Sequence, residues 1–435
     1  MYIETVDIKN IKSIKHFRMN FPKRPGWHVL IGDNGTGKST LLRAIALALI
    51  GPDEFKSARI ILTDWLRQGA KAAEISLTLD KDALLDGHAG KQRPVIGSVN
   101  ATVCINYAEV FSEDEIPQLQ AVGKHGPRSA FSHNWSNARG WFSAGFGPFR
   151  RFTGGNKDWE STYQFAPKAG AHLSLFGEDV ALTESLRWLE KLYSQSIDSL
   201  QSEKVRGDAE KILTAIKSLI NSPDFLPDGI RLEKIFTGGI LFTGRFGDTL
   251  PISQLSDGFR SVLSLTFELI RQLGRVYGDV AVAASLMLDN SVAYPGVVLI
   301  DEIDAHLHPS WQTQIGQWFT SHFPAIQFIV TTHSPLICRR AYDSSIFRLT
   351  VPNSGNISGE ITGTERDRLV YGNILEAYDT QLFGDVPGHN DKGQELLNRL
   401  TELNARYAFG KTSKEEEVEM WRLRKIFTTD VALDL

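Results

Sequence analysis

The chain has 435 residues, and its 47 Lys and Arg against 51 Asp and Glu give a formal net charge of −4 at pH 7. This length can bury a large core and hold two or three domains, while the balanced charge argues against a strongly basic nucleic-acid binder. No apolar run reaches the roughly 18 residues that span a bilayer, so we expect a cytoplasmic protein without a membrane partner. The two cysteines, Cys104 and Cys338, lie in apolar segments and predict buried, reduced thiols.

The N-terminal segment begins with a predicted strand at residues 1–6, which does not resemble a secretion signal. Residues 32–40, GDNGTGKST, then fit the G-x-x-x-x-G-K-[S/T] pattern of a phosphate-binding loop. The pattern requires a strand before the loop and a helix after it, and the apolar residues 27–31 and 41–45 predict both. A glycine-rich turn that matches by chance is the alternative.

The phosphate loop predicts a specific set of contacts to a nucleotide. Its glycines let backbone N–H groups turn toward a phosphate, and the helix N-terminus adds positive potential. Lys38 is expected to reach the outer phosphates, and the hydroxyl of Ser39 is expected to ligate Mg²⁺. The residues that we expect to contact ATP in this loop are Asn34, Gly35, Gly37, Lys38, Ser39 and Thr40.

The middle of the chain changes in character from sheet to helix. A strand is predicted at residues 75–79, and a glycine-rich surface loop is expected at 154–158. Apolar residues recur with helical spacing between 186 and 200 and again between 212 and 219, which predicts two packed helices rather than a coiled coil. Strands are expected at 230–250.

Residues 252–260, ISQLSDGFR, lead into a strongly apolar helix predicted at 261–270. Ser256 lies where a helix N-cap is expected, so a plain capping role is one interpretation. Leu-Ser-x-Gly at the start of a helix, about 40 residues before an acidic strand, also resembles the signature motif of ABC-type ATPases.

The acidic strand is the apolar run at residues 296–300, which predicts a central parallel strand buried on both faces. Open α/β sheets bind ligands at the carboxyl edge of such strands, where Asp301 and Glu302 follow. Asp301 would hold Mg²⁺, and Glu302 would orient or deprotonate the attacking water. Taken alone, a strand that ends in two acids also fits a solvated turn. A second buried strand, at 328–332, ends at His333.

The order of these elements, with Asp304 at the D-loop position and His333 at the switch-histidine position, resembles that of ABC-type ATPases. Within that superfamily, residues 8–14 (IKNIKSI), 304–309 (DAHLHP) and 332–335 (THSP) resemble the corresponding segments of RecF-like and SMC-like ATPases. More narrowly, the chain resembles the stand-alone ATPases of bacterial anti-phage defence systems, such as the Septu and retron-associated ATPases, with the PARIS and Gabija ATPases as relatives.

The resemblance implies an α/β fold of the ABC-type ATPase head, a mixed sheet with flanking helices, with a helical lid insertion and a C-terminal helical extension. We expect the ATPase domain to comprise residues 1–170 and 229–350, with the helical insertion at 171–228 between its two parts. Residues 351–435 would form a helical region for partner docking or oligomerisation, although their charge runs also fit a solvated face.

The resemblance also implies the cofactors ATP and Mg²⁺ and an enzyme that hydrolyses ATP to ADP and phosphate. Two copies would close around two nucleotides, as a dimer or a higher oligomer, and control a separate effector that is a nuclease or toxin, with DNA or a phage protein as a further partner. Ser39 and Asp301 would ligate the metal, and Glu302 and His333 would be catalytic. Beyond the phosphate loop, the resemblance places nucleotide contacts at Lys12, Ser13, Ser256, Gly258 and Asp304.

Two other functions share this nucleotide chemistry. A RecF-like or SMC-like repair ATPase would clamp DNA through basic side chains on one face. The candidates for that face are Lys12, Lys15, Arg150 and Arg151. A nuclease in its own right would need convergent carboxylates, and the acids after His333 show no such pattern.

Three features of the motifs remain open in the sequence. Asp257 replaces the glycine usual in transporter signatures and puts a carboxylate close to the phosphate site, which RecF-like relatives tolerate. No glutamine is clearly placed at the Q-loop position, for which Gln68 and Gln164 are the nearest candidates. His306 and His308 either pack beside the D-loop and the dimer interface or bind a metal, and zinc would need further ligands.

Overall fold

The computed structural model describes residues 1–56, 60–89, 97–107, 117–122, 128–152, 165–177, 180, 182–223, 225–350, 358–372 and 391–427. The chain divides into two compact units, Met1–Ala377 and Tyr378–Leu435. The surface loop predicted at 154–158 and the Q-loop candidate Gln164 lie outside the described residues.

Strands and helices alternate irregularly along the first unit, and helices alone are described in the second. The strands are β1 (Tyr2–Ile11), β2 (Ile14–Asn20), β3 (Gly26–Ile31), β4 (Ala72–Asp80), β5 (Val99–Tyr107), β6 (Pro117–Ala121), β7 (Ser143–Phe146), β8 (Arg231–Phe236), β9 (Gly239–Thr243), β10 (Thr249–Pro251), β11 (Gly296–Ile300), β12 (Ile326–Thr331), β13 (Ile346–Arg348) and β14 (Gly359–Glu360). The helices are α1 (Lys38–Ile50), α2 (Pro52–Phe55), α3 (Pro167–Gly170), α4 (Thr183–Ile197), α5 (Glu203–Ile220), α6 (Asp257–Tyr277), α7 (Asp279–Asp289), α8 (Pro309–His322), α9 (Pro335–Cys338), α10 (Gly363–Tyr371), α11 (Asp391–Ala408) and α12 (Lys414–Ile426).

A six-stranded sheet in the order β14-β13-β3-β12-β11-β7 organises the first unit. Strands β13, β3, β12, β11 and β7 pair in parallel, and only the edge strand β14 runs antiparallel among these six. Both β11 and β12 are buried along their whole length, as predicted for central parallel strands. Because parallel strands share one carboxyl edge, the loops after β3, β7, β11 and β12 meet there.

Helix α1 lies between this sheet and a second, antiparallel one. The second sheet has the order β2-β1-β4-β5-β6, and α1 contacts β1, β4 and β5 on one side and β11 and β12 on the other. Its sequence, KSTLLRAIALALI, is apolar all round after Arg43, which is the pattern of a fully buried helix. The phosphate loop is therefore attached to the most deeply packed helix of the unit.

The two sheets are also joined by one buried side chain, Gln327 of β12. Its amide nitrogen donates to the carbonyl of Ile3 at 3.0 Å, and its amide oxygen accepts from the backbone N–H of Ile3 at 2.7 Å. The strand pairing of β1 with β4 shifts register next to Ile3. Gln327 therefore supplies a hydrogen-bond partner to both backbone groups of Ile3 beside this irregularity.

The helical layer beside the parallel sheet is built on α6. Helices α4 and α5 correspond to the two helical stripes predicted in the middle of the chain and pack against each other. Helix α4 also contacts α6, and α7 contacts both α5 and α6. A small antiparallel sheet, β10-β9-β8, leads into α6, which begins four residues earlier than the sequence predicts, at Asp257.

The second unit contains a helical hairpin, α11 and α12. Ser413 and Glu416 form a capping box at the start of α12, and the apolar contacts between the helices involve Leu400, Leu403 and Met420. In the first unit Cys338 is buried as predicted, whereas Cys104 is only half-buried, and both thiols are free. The predicted fold class is confirmed, since sheets flanked by helices form an α/β head.

Replacing Gln327 with Leu should destabilise the first unit, because the buried N–H and C=O of Ile3 lose their partners. We expect the free energy of unfolding to fall by about 2–4 kcal/mol, measured from urea titrations. Gln317→Leu is the matched control, since Gln317 is exposed on α8 and its amide bonds only Ser321. Equal effects of the two substitutions would contradict this account of the junction.

Candidate functional site

The phosphate loop turns sharply between β3 and α1 by means of its glycines. Gly35 and Gly37 have φ angles of 77° and 98°, and Gly37 is the N-cap of α1. A side chain at Gly32 would collide with the carbonyl of Leu349, and one at Gly37 would lie 3.1 Å from Ser13 Oγ. The strand–loop–helix context that the sequence predicts is therefore present, with the loop in a conformation that glycine favours.

Lys38 is buried inside the loop that it follows. Its ammonium donates to the carbonyls of Gly32 at 2.6 Å and Asp33 at 3.0 Å. Burial lowers its pKa, and the nearby carboxylates of Asp301 and Glu302 partly oppose that shift. Of the other predicted ATP contacts in the loop, Asn34 and Gly35 are exposed, and Gly37, Ser39 and Thr40 are half-buried.

Asp301 and Glu302 follow β11 at the same sheet edge. The Oδ1 of Asp301 accepts from Thr331 Oγ1 at 2.6 Å, and that same hydroxyl accepts from the backbone N–H of Glu302 at 2.7 Å. Glu302 has a φ angle of 47°, in the left-handed region. Asp301 Oδ2 is buried and has no hydrogen-bond partner among the described residues, so it is an oxygen ligand that fits a divalent cation.

Most of the predicted catalytic groups lie close enough to one another for their charges to interact. The ammonium of Lys38 interacts with the carboxylates of Asp301, Glu302 and Asp304. Burial lowers the pKa of His333, the charge of Lys38 lowers it further, and Asp304 and Glu302 oppose both effects. His333 is therefore neutral at pH 7 and can donate or accept a single hydrogen bond at each ring nitrogen.

The turn after β1 contacts the start of α1. Ser13 Oγ lies beside Gly37, and Arg67 donates to the carbonyl of Ser13 at 2.6 Å. Lys12 adopts a φ angle of 45°, and its ammonium lies 5.5 Å from the centre of the Trp65 ring. Ser13 is thus placed next to the phosphate loop as predicted, while Lys12 is turned toward Trp65.

The signature segment exposes its serine. Ser256 occupies the N-cap position of α6, but its side chain makes no capping hydrogen bond, so the plain capping interpretation is wrong. A side chain at Gly258 would lie 2.6 Å from the carbonyl of His306, which packs the signature against the D-loop segment. The unusual carboxylate of Asp257 forms an ion pair with Arg260 one turn later.

Arg150 is a functional candidate that the sequence interpretation misplaced. The alternative function makes it a candidate for contact with DNA phosphates, but it is buried, and Nη1 and Nη2 donate to the carbonyls of Asp301 at 2.8 Å and Glu302 at 3.0 Å. It follows β7, which pairs with β11, so Arg150 lies beside the loop that follows β11. The Q-loop candidate Gln68 is exposed on a different segment. The signal available in the sequence was the run FGPFRR after a short apolar strand.

His306 and His308 lie beside the D-loop, and the metal interpretation finds no support. His308 is the N-cap of α8, where its Nδ1 accepts from the backbone N–H of Ser310 at 3.3 Å. His306 is exposed and has a φ angle of 65°. Within the described residues, no group of three or more His, Cys, Asp or Glu side chains is arranged to hold a metal ion.

Comparisons with known proteins agree with this geometry. A protein-family model described as "AAA domain, putative AbiEii toxin, Type IV TA system" matches residues 166–339, and one described as "AAA domain" matches residues 5–116. The Septu protein PtuA of Bacillus mycoides (strain KBAB4) is 25% identical over 411 residues, which cover 90% of this chain and 44% of that protein. The Retron Ec83 probable ATPase of Escherichia coli is 26% identical over 400 residues, which cover 80% of this chain and 71% of that protein.

The chain is thus similar to AAA domains in two segments and to the Septu and retron ATPases over most of its length. The resemblance seen in the sequence motifs is thereby confirmed, and the family implies ATP binding, typically with Mg²⁺. This ATPase spans less than half the length of the Septu protein that it matches. Among solved structures, an SMC head bound to the C-winged helix domain of ScpA aligns over 83% of this chain and 97% of that one, with 17% identity and a TM-score of 0.49. None of the described helices is long and apolar enough to cross a membrane.

Lys38→Ala should weaken ATP binding by about a hundredfold, because a charge-assisted contact to the outer phosphates is lost. Titration with a fluorescent ATP analogue measures the affinity. Lys211→Ala removes the same charge from an exposed position on α5 and should leave the affinity unchanged. Wild-type affinity in Lys38→Ala would contradict the assignment of the phosphate loop.

Proposed function

We propose that this ATPase binds ATP with Mg²⁺ between two copies of itself, hydrolyses it, and thereby controls a separate effector protein in anti-phage defence. The site residues Lys38, Ser39, Asp301, Glu302 and His333 take the roles predicted from the sequence. The observation that carries the proposal is the uneven distribution of the motifs within one copy.

One copy assembles only part of a nucleotide site. Lys38, Asp301, Glu302 and His333 interact within the same chain, whereas Ser256 lies exposed at the start of α6 with no capping bond. An exposed helix N-terminus with a free hydroxyl is suited to an anion. A second copy that presents Ser256 and Gly258 to the γ-phosphate would complete the site, and the same contact would bury both nucleotides in the dimer.

Hydrolysis then requires attack of water on the γ-phosphorus, cleavage of the bond to the ADP oxygen, and removal of one proton from the water. Glu302 lies at the sheet edge where it can orient the water and accept that proton. Lys38 holds the outer phosphate oxygens, and the neutral His333 donates a hydrogen bond to the γ-phosphate. Mg²⁺ bound by Ser39 and Asp301 would neutralise charge between the β- and γ-phosphates.

Loss of the γ-phosphate removes the contact that holds the two copies together, so ATP favours the dimer and ADP favours separate copies. The similarity to the Septu and retron proteins supports a role in defence, and a partner effector of the nuclease or toxin class is part of the proposal. In the second unit α12 leaves Val418 and Trp421 exposed, which supports residues 351–435 as the docking region. Co-purification of the effector with the ATPase from its own operon, followed by mass spectrometry, tests this part of the proposal.

Two of the four basic candidates for a DNA-binding face are engaged within the protein. Arg150 is buried on backbone carbonyls, and Lys12 is directed to Trp65, whereas Lys15 and Arg151 are exposed. Arg150 is therefore unavailable to the basic face that the alternative requires, and the net charge of −4 supplies no general attraction to DNA.

Glu302→Gln should retain ATP binding but slow hydrolysis by on the order of a hundredfold, because the proton acceptor is lost. The variant should accumulate as an ATP-bound dimer, which size-exclusion chromatography with light scattering detects. Glu210→Gln is the control, since it removes the same charge from an exposed position on α5. A Glu302→Gln protein that hydrolyses ATP at the wild-type rate would show that another residue is the base.

Ser256→Arg should block hydrolysis while leaving ATP binding intact, because the added bulk and charge prevent closure of the second copy. Mixing Ser256→Arg with Lys38→Ala should restore part of the activity, since one site then combines an intact Lys38 with an intact Ser256 from the other chain. Phosphate release is measured for each variant alone and for the mixture. Wild-type hydrolysis by monomeric Ser256→Arg would exclude a site shared between copies.

A further inference from the structure

The guanidinium of Arg150 is saturated with hydrogen bonds inside the first unit. Nε donates to Ser261 Oγ at 3.0 Å, Nη1 donates to the carbonyls of Gly147 at 2.9 Å and Asp301 at 2.8 Å, and Nη2 donates to those of Glu302 at 3.0 Å and Ile303 at 3.5 Å. All five N–H groups of the fork are directed at an acceptor. None of these acceptors is a carboxylate oxygen.

Burial of a guanidinium costs desolvation free energy, which only complete hydrogen bonding offsets. Burial lowers the pKa of Arg150 to about 10, although the charges of Asp301, Asp304 and Glu302 act in the opposite direction. A buried charge is tolerated only when its hydrogen bonds are complete. Arg150 is therefore sensitive to any shift of the carbonyls that it binds, since a shift leaves an unsatisfied donor on a charged group.

The acceptors belong to two elements that the ATPase must coordinate. Asp301, Glu302 and Ile303 form the acidic loop beside the nucleotide, and Thr331 holds this loop from its other side. Ser261 lies on α6, four residues after Asp257 and on the same face of the helix. The N-terminus of α6 carries Ser256, which the proposed function assigns to the nucleotide of the second copy.

We propose that Arg150 is a positioning residue that couples the acidic loop to the signature helix α6. When the carbonyls of Asp301 and Glu302 move in response to nucleotide, Arg150 keeps its bonds and carries Ser261 with it. This movement sets the orientation in which α6 presents Ser256 to the second copy. The inference rests on the proposed function, because it describes how the acidic loop beside one nucleotide sets the position of Ser256, which contacts the nucleotide of the second copy.

The test uses two buried serines on the same helix. Ser261→Ala removes the acceptor of Arg150 Nε, while Ser264→Ala removes a hydroxyl that bonds only the carbonyl of Ser261 within the helix. Each substitution is introduced into the full chain carrying Glu302→Gln. ATP-dependent dimerisation is followed by light scattering, ATP affinity by titration with a fluorescent analogue, and stability by urea unfolding.

We expect Ser261→Ala to raise the ATP concentration needed for half-maximal dimerisation by about tenfold, the effect of losing one charge-assisted hydrogen bond. Its affinity for ATP as a monomer should equal that of the parent, and Ser264→Ala should dimerise like the parent. A purely structural role would lower the stability of both variants without separating ATP affinity from dimerisation.

Arg150→Lys supplies a second line of evidence that does not depend on Ser261. A lysine keeps the charge but cannot reach both the helix and the acidic loop with one ammonium, so ATP should bind normally and dimerisation should fail. If Ser261→Ala and Arg150→Lys both dimerise like the parent, the inference is overturned and the proposed function still stands. A parent Glu302→Gln protein that does not dimerise with ATP would overturn the proposed function and the inference with it.

Discussion

The site depends on the enclosure of α1 between two sheets. The helix buries six Leu and Ile side chains, and each fully buried side chain of this kind contributes about 2 kcal/mol. Together these six side chains contribute more than any single phosphate contact, so the conformation of the loop is decided by packing rather than by the ligand. Gly37 and Lys38 are consequently fixed at the edge of the parallel sheet in advance, which lowers the entropy that binding must overcome.

The carboxyl edge of the parallel sheet carries more negative than positive charge around the phosphate loop. One ammonium, that of Lys38, lies among the carboxylates of Asp301, Glu302 and Asp304, and a nucleotide triphosphate adds further negative charge. In a poorly solvated site like charges repel more strongly than in water. The Mg²⁺ proposed at the unpartnered Asp301 Oδ2 would relieve this repulsion.

Local signals predicted the parts of the site that are contiguous in sequence. The phosphate loop, the acidic strand and the start of α6 each combine a motif with an apolar element, and the structure contains all three elements. The role of Arg150 was missed because all of its hydrogen-bond partners except Gly147 lie 111 to 153 residues further along the chain, and nothing local distinguishes an arginine that will be buried. Thr331, which holds both Asp301 and Glu302, was missed for the same reason. The pairing of Asp257 with Arg260 lies within one helical turn and was accessible in principle.

Because α6 is long, a small rotation at one end of the helix becomes a larger displacement at its other end. With 21 residues, it extends about 30 Å from the signature to its other end, and α4 and α7 both pack against it. A tilt of about 5° at the signature displaces the far end by roughly 3 Å over that length. A small movement at the signature is thus amplified at the far end of α6, and an effector that binds at that end would sense ATP without touching the nucleotide.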